Sequence, residues 1–218
     1  MVDVAVARVV AVLTRAPSSG GKTRLFEALG RAPDPRLSTA LLLDTLDGAA
    51  APGVTRVVSV TPASACDEVA SLIAPGIGVM PQSDGGLGER MRRAFASLFE
   101  RGAGAVVLIG SDLPAITPSI VAAAFEILDN DADALVLGPA ADGGYYLIGA
   151  TSVPPVFDGI EWGSAAVLAR TQAAAAIAGL RVSLVDILAD VDTRDDLHRI
   201  AEARPASRTA AWVRDVLQ

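Results

Sequence analysis

Four short segments of this chain carry residue types that could act on a phosphorylated substrate. The first is Thr14-Arg15-Ala16-Pro17-Ser18-Ser19-Gly20-Gly21-Lys22-Thr23-Arg24. A Gly-containing loop that feeds a helix offers free N–H groups and a positive dipole, both suited to phosphate. Arg15, Gly21, Lys22 and Arg24 are therefore candidate phosphate-binding residues, with an ordinary solvated turn as the other account. Lys22 is the single lysine among 18 basic residues. A compact ammonium and a planar guanidinium are not equivalent, so a lone lysine in an arginine-rich chain marks this loop. The spacing is not that of a Walker A loop.

The second segment is Gly110-Ser111-Asp112-Leu113-Pro114. Asp112 could hold Mg²⁺ or Mn²⁺ bridging a diphosphate, because hard cations take oxygen ligands. It could equally be a turn residue before Pro114. The third is Asp190-Val191-Asp192-Thr193. Carboxylates at i and i+2 of an extended segment project to one side, and like charges so placed favour a bridging cation. Capping of a following helix is the alternative, although Thr193 already fits that role; metal ligation by at least one of the pair is the preferred account. The fourth runs from Gly138 to Tyr146 and contains Asp142-Gly143-Gly144-Tyr145. Asp142 could accept hydrogen bonds from a sugar, Gly143 and Gly144 permit close backbone approach, and a tyrosine could stack on the ligand. A hairpin turn with core tyrosines is the competing explanation. Two further stretches are less specific. Gln82 to Arg90 runs from a strand end into a helix and could cover a ligand. Glu161-Trp162-Gly163-Ser164 offers Trp162 as core residue or acceptor wall.

These segments need a scaffold, and the apolar pattern supplies one. Strands are expected at Val4–Leu13, Val54–Val60, Ile77–Met80, Ala105–Ile109, Leu135–Leu137, Tyr145–Ile148 and Val182–Val185. Helical patterns separate most of them, at Arg24–Leu29, Arg36–Ala50, Ser64–Ile73, from Leu87, after Thr117-Pro118, and at Ser164–Ala178. Thr193 to Asp196 reads as a capping box, and a last helix follows Pro205. Alternation of this kind implies an α/β fold: a doubly wound, mostly parallel sheet with helices on both faces. Tyr145–Ile148 would be a hairpin partner that makes the sheet mixed. In such sheets ligands sit at the carboxyl ends of strands, where the first three segments fall. With 218 residues and no linker, the chain is expected to be one domain over residues 1–218.

Composition removes several function classes. Net charge is −7 and aromatics are 4%, which argues against nucleic acid and anionic membrane as partners. No apolar stretch approaches a membrane span, and Met1-Val2-Asp3-Val4 lacks a basic leader. The single cysteine, Cys66, allows no internal disulfide. Together these lead us to expect a cytoplasmic protein. The sole histidine, His198, sits in a helical pattern, so a Ser-His-Asp triad is not expected, and no Cys/His cluster exists for zinc.

Taken in order, six pieces resemble one family. They are Lys22-Thr23-Arg24-Leu25, Leu87-Gly88-Glu89-Arg90-Met91, Gly110-Ser111-Asp112-Leu113-Pro114, Asp142-Gly143-Gly144-Tyr145-Tyr146, Trp162-Gly163 and Asp190-Val191-Asp192-Thr193. The chain resembles the GT-A-like rSAM/selenodomain-associated transferase 1 family, also labelled arsenosugar-biosynthesis glycosyltransferase-like, over residues 4–200. It is more distantly similar to the phosphoenolpyruvate or 2-phospholactate guanylyltransferases. That second likeness implies Asp112, Asp190 and Asp192 as metal ligands. The chain departs from those enzymes at Asp142–Tyr146 and Trp162-Gly163. The resemblance implies a nucleotide-diphospho-sugar transferase-like fold, a divalent cation as cofactor, and a nucleotide or nucleotide-sugar with a small-molecule acceptor as partners. The leading expectation is glycosyl transfer from a nucleoside-diphosphate sugar, with Asp112 and Asp142 as catalytic acids and Gly143, Gly144, Tyr145 and Trp162 at the substrate. Nucleotidyl transfer from an NTP to a phosphorylated acceptor is the alternative, and a non-catalytic nucleotide-binding module the third.

Overall fold

The computed structural model describes residues 7–217. Seven strands form one sheet: β1 (Arg8–Arg15), β2 (Val54–Thr61), β3 (Gly78–Pro81), β4 (Ala105–Gly110), β5 (Ala134–Pro139), β6 (Tyr145–Ala150) and β7 (Arg181–Leu184). Residues 4–6 of the expected first strand lie outside the described residues. That strand continues two residues further than expected, so Thr14 and Arg15 belong to it and not to the loop. Both pair with β2, where Thr14 meets Val60 and Arg15 meets Thr61.

The spatial order is β3-β2-β1-β4-β6-β5-β7. Only β6 runs against its neighbours, pairing antiparallel with β4 and with β5. The mixed, doubly wound sheet expected from the alternation is therefore the one observed. After β1 the chain builds outward through β2 and β3, then crosses to β4 on the other side. The order reverses between β1 and β4, which opens a crevice at their carboxyl ends.

Eight helices pack around the sheet: α1 (Thr23–Ala28), α2 (Pro35–Gly48), α3 (Cys66–Leu72), α4 (Leu87–Glu100), α5 (Pro118–Asn130), α6 (Val167–Ile177), α7 (Arg194–Ala203) and α8 (Arg208–Val216). Side chains alternate along each strand, so the sheet feeds two cores. Val10, Val12, Val58, Val107 and Ile109 meet Leu42 and Leu46 of α2, Val69 of α3, and Val121 and Phe125 of α5. Ala11, Val106, Leu108 and Leu137 meet Met91, Phe95 and Leu98 of α4 and Ala175 of α6. A third cluster, with Phe26, Leu41, Leu197 and Trp212, binds α1, α2, α7 and α8 together.

The helix ends follow their caps. Thr117 accepts from the Ile120 N–H at the start of α5, and Pro118 occupies its first position. Thr193 and Asp196 form the expected capping box of α7. Three helix boundaries differ from expectation by two residues or more. Ser64 and Ala65 lie in a 3-10 turn before α3. Ser164–Ala166 stay non-helical, because the loop is tied down by Val167 N–H to Ser164 O and by Leu168 N–H to Gly143 O. Ala49 and Ala50 fall beyond α2. Among the described residues no helix is long and apolar enough to cross a membrane.

Candidate functional site

The sheet's switch point collects three of the four segments singled out in the sequence. Lys22 follows the loop after β1, Asp112 follows β4, and Asp192 lies in the stretch before α7. The Lys22 ammonium stands 2.7 Å from Asp112 Oδ2 and 2.8 Å from Asp192 Oδ1. Its side chain is only 10% exposed, so this is a largely desolvated cation held between two acids. Burial works to lower its pKa, and the Asp112 and Asp192 carboxylates outweigh that and raise it. Lys22 itself sits in the left-handed region at φ 53°, a strained position for a residue with a Cβ.

This arrangement bears on two expectations. The helix after the loop, α1, has six residues, so its dipole adds little and the phosphate reading rests on side-chain charge. Arg15 and Arg24 are exposed and enter no ion pair among the described residues, while Gly21 is half-buried. Asp112, Asp190 and Asp192 do not form a ready-made metal cage. Among the described residues no three His, Cys, Asp or Glu side chains are placed to hold an ion. Lys22 takes the place between Asp112 and Asp192.

Asp190 tells a different story. It is half-buried, and its Oδ1 is buried without a hydrogen-bond partner. Burial first, then the Asp112 carboxylate, pushes its acid up to about 6; Asp192 and Asp142 push the same way and Lys22 opposes them. An orphaned carboxylate oxygen near acids that share the single positive charge of Lys22 fits a hard cation. Asp112 and Asp190 would hold it, with Asp192 joining once released from Lys22. The backbone braces this geometry: Val191 N–H donates to Asp112 O at 3.3 Å, tying the two acid loops together.

Next to these acids lies a cavity of about 310 Å³. Asp112, Asp142 and Asp190 form its polar side, while Leu13, Met91 and Leu108 form its floor. Gly144, Tyr145, Trp162 and Gly163 close it, so the fourth segment and the Trp162 loop join the site. No Lys or Arg lines it. Asp142 shapes the hairpin turn, its Oδ1 accepting from Gly144 N–H at 2.9 Å, and it lines the cavity. Gly143 is required there. Its φ is 89°, and a Cβ would fall 2.2 Å from Ala165 O. Tyr145 is buried against Trp162 edge-on, with ring centroids 6.3 Å apart and a hydroxyl without a partner. Tyr146 is instead a core residue, donating to Asp186 O at 2.7 Å.

Sequence reasoning missed the supports. Thr45 of α2 accepts from Leu113 N–H at 3.1 Å and donates to Ser111 O at 3.0 Å, clamping Asp112 between two hydrogen bonds. Arg204 reaches Pro114 O and Ile116 O on the same loop. Gln82 Nε2 donates to Thr14 O at 3.0 Å and Ser59 O at 2.7 Å, fixing the strand end that leads to Lys22. Gly88 gives Trp162 its seat, since a Cβ there would meet the indole at 2.8 Å. The Gly88 contact had a signal in sequence, a glycine in the first turn of an amphipathic helix. Thr45 had none, because its partners are backbone atoms 66 and 68 residues away.

Known proteins resemble the chain throughout its length. The DUF2064 family, described as an uncharacterized protein conserved in bacteria, matches residues 45–164. A phosphoenolpyruvate guanylyltransferase of Nocardia farcinica is 30% identical over 201 residues, covering 89% of this chain and 86% of that protein. A solved structure from Desulfovibrio desulfuricans, described as a candidate nucleotide-diphospho-sugar transferase, superimposes with a TM-score of 0.85 at 32% identity, covering 95% of this chain and 94% of that one. A nucleotidyl transferase from Methanothermobacter shares the fold at a TM-score of 0.60 and 17% identity, over 90% and 96% of the two chains.

Proposed function

The chain belongs to the DUF2064 family and is a transferase, and from that premise we propose that it transfers a glycosyl group from a nucleoside-diphosphate sugar to a small neutral acceptor. The observation that carries this is the wall of the 310 Å³ cavity, which among the described residues has three carboxylates, a tryptophan and two tyrosines but no Lys or Arg. A phosphorylated acceptor would meet like charge there. A sugar would meet acceptors for its hydroxyls and aromatic faces for its apolar side. The resemblance to the rSAM/selenodomain-associated transferases agrees with this choice.

In this reading the diphosphate lies along the loop after β1. Lys22 and Arg24 oppose its charge, and Arg15 stands at the strand end beside them. A bound Mg²⁺ or Mn²⁺ supplies further positive charge to the leaving diphosphate. Asp112 and Asp190 are placed to hold that cation. Asp142, fixed by its turn, orients a hydroxyl of the sugar or acceptor, and Gly144 leaves room for it. Tyr145 and Trp162 wall off water from the reacting centre. The acceptor oxygen bonds to the anomeric carbon as the bond to the diphosphate oxygen breaks. The acceptor's proton passes to Asp142, the carboxylate of the cavity that the cation leaves free.

Nucleotidyl transfer is the second reading, favoured by the guanylyltransferase of Nocardia farcinica and by the cationic Lys22–Arg24 loop, which suits a triphosphate equally well. The two differ in product. Incubation with Mn²⁺ and a panel of nucleotides, followed by product analysis, separates them: glycosyl transfer releases a nucleoside diphosphate and nucleotidyl transfer releases pyrophosphate. Pyrophosphate release would overturn the glycosyl assignment.

A further inference from the structure

Beyond the crevice, a second cavity of about 330 Å³ lies between the edge strand β3 and α4. Ser59, Gln82, Ser83, Arg90, Arg93 and Arg101 line it. Ser59 is fully buried on β2, yet its Oγ has no partner. Ser83 Oγ and Arg90 Nε are also buried without a partner. Such orphans are rare in folded proteins, and three around one cavity mark a site with unfilled hydrogen-bonding capacity. Their chemistry agrees: one guanidinium N–H and two hydroxyls all donate. Arg93 and Arg101 add positive charge, against Glu100 as the acid on the same wall. Arg93 gives its Nε to Glu89 at 2.7 Å, which leaves its outer guanidinium nitrogens free of that pair. The local excess of positive charge stands out on a chain of net charge −7.

We propose that this cavity is a second, separate site for a phosphate-class oxyanion. Donors and positive charge converge as charge-assisted recognition of phosphate requires. Gln82 joins it to the crevice. Arg90 Nη1 donates to Gln82 Oε1 at 3.3 Å, and Gln82 in turn holds Thr14 O at the end of β1. An anion drawing on Arg90 therefore pulls on the hydrogen bond that steadies the start of the Lys22 loop.

The test is calorimetric titration of the full chain with inorganic phosphate and, separately, with glycerol phosphate. Lys22→Ala removes the cation of the crevice, Arg90→Met the guanidinium of the second site, and Ser59→Ala a hydroxyl that bonds to nothing. We expect saturable binding that survives Lys22→Ala, weakens at least tenfold in Arg90→Met and weakens severalfold in Ser59→Ala. Tighter binding of the ester would assign a phosphorylated metabolite, and equal binding free phosphate. Binding lost in Lys22→Ala and kept in both other variants would place the anion in the crevice and overturn the proposal. So would no binding to any form, which would leave the cavity to water. Should Arg90→Met fail to fold, Ser59→Ala decides alone.

Discussion

Two aspartates in this molecule, Asp44 and Asp190, have opposite surroundings. Asp44 on α2 is 5% exposed and fully employed. Its carboxylate accepts from Arg208 N–H at 3.0 Å, from Thr209 N–H at 2.8 Å and from the Thr209 hydroxyl at 2.7 Å, with the Arg208 guanidinium at 3.3 Å. It caps α8 and welds that helix to α2. Asp190 is half-buried, with Oδ1 buried and without a hydrogen-bond partner, and its acid is raised to about 6. A satisfied buried charge belongs to the fold, while an unsatisfied one at a crevice marks a candidate for ligand binding. Partners tell the two aspartates apart.

The strongest way to break that comparison is to exchange the outcomes. Asp44→Ala strands two N–H groups and a hydroxyl in the interior and should cost about 3 kcal/mol. At this chain length that lowers Tm by roughly 6–12 °C. Asp190→Asn should leave Tm unchanged or higher while removing the gain in nucleotide affinity that Mn²⁺ confers. Thermal unfolding of both variants, with and without Mn²⁺ and nucleotide, checks the pair. An Asp190→Asn protein that melts early but keeps its metal response would reverse the roles assigned here.

The charged cluster sharpens the contrast from the ligand side. Lys22→Ala should weaken nucleotide binding by about 1–3 kcal/mol, the scale of a charge-assisted hydrogen bond. It also removes the ammonium between Asp112 and Asp192, so those acids should bind Mn²⁺ more readily in the absence of nucleotide. Calorimetry with metal alone, then with nucleotide, reads the two effects separately. Equal metal affinity in both proteins would mean that Lys22 does not compete for the site.

Thr45 occupies the ground between fold and site. Thr45→Val keeps the shape and deletes both hydrogen bonds to the Asp112 loop. Leu113 N–H is then buried without a partner, at a cost of about 1–2 kcal/mol. Its larger consequence is positional: turnover should fall more than KM changes, because Asp112 is misplaced rather than removed. Thr45→Ser should restore turnover. A stability loss with unchanged turnover would confine Thr45 to the fold.

Much of this was legible beforehand, and the reasons are physical. Local signals fix the strands and caps: Thr117-Pro118 and Thr193 to Asp196 announce their helices because a cap is a contact between neighbours in sequence. Asp112, Asp142, Asp190 and Lys22 could be singled out because a carboxylate or lone lysine after a buried strand has few structural reasons to be there. The tie between Lys22 and Asp192 spans 170 residues, and no local pattern encodes it. For the same reason Thr45 and Arg204 were silent, and Gln82 stood out only as part of a loop that could cover a ligand, since each acts on backbone atoms far along the chain. Asp112 and Asp192 do come together in the fold, across Lys22, but a pattern of acids does not say which cation lies between them.

Asp34 provides the smallest and most exacting case, a carboxylate with partners at the protein surface. It caps α2 through Arg36 N–H at 2.9 Å and accepts from Trp212 Nε1 at 2.9 Å. The Arg36 guanidinium, foremost, holds its acid down at about 2, with burial opposing and Trp212 assisting. A depressed acid stabilises the fold above its unfolded value near 3.8, and that contribution fades as pH falls towards 2. Much of the coupling to the exposed Arg36 is screened by solvent, so the contribution is about 1 kcal/mol. Asp34→Asn removes the charge and leaves a single acceptor oxygen, so it keeps the cap through Arg36 N–H and gives up the indole contact. Urea unfolding should therefore find wild type more stable than Asp34→Asn above pH 4, with the gap closing by pH 2. A constant gap across that window would mean that geometry, not charge, gives Asp34 its role. It would then stand with Asp44, a residue valued for its hydrogen bonds alone.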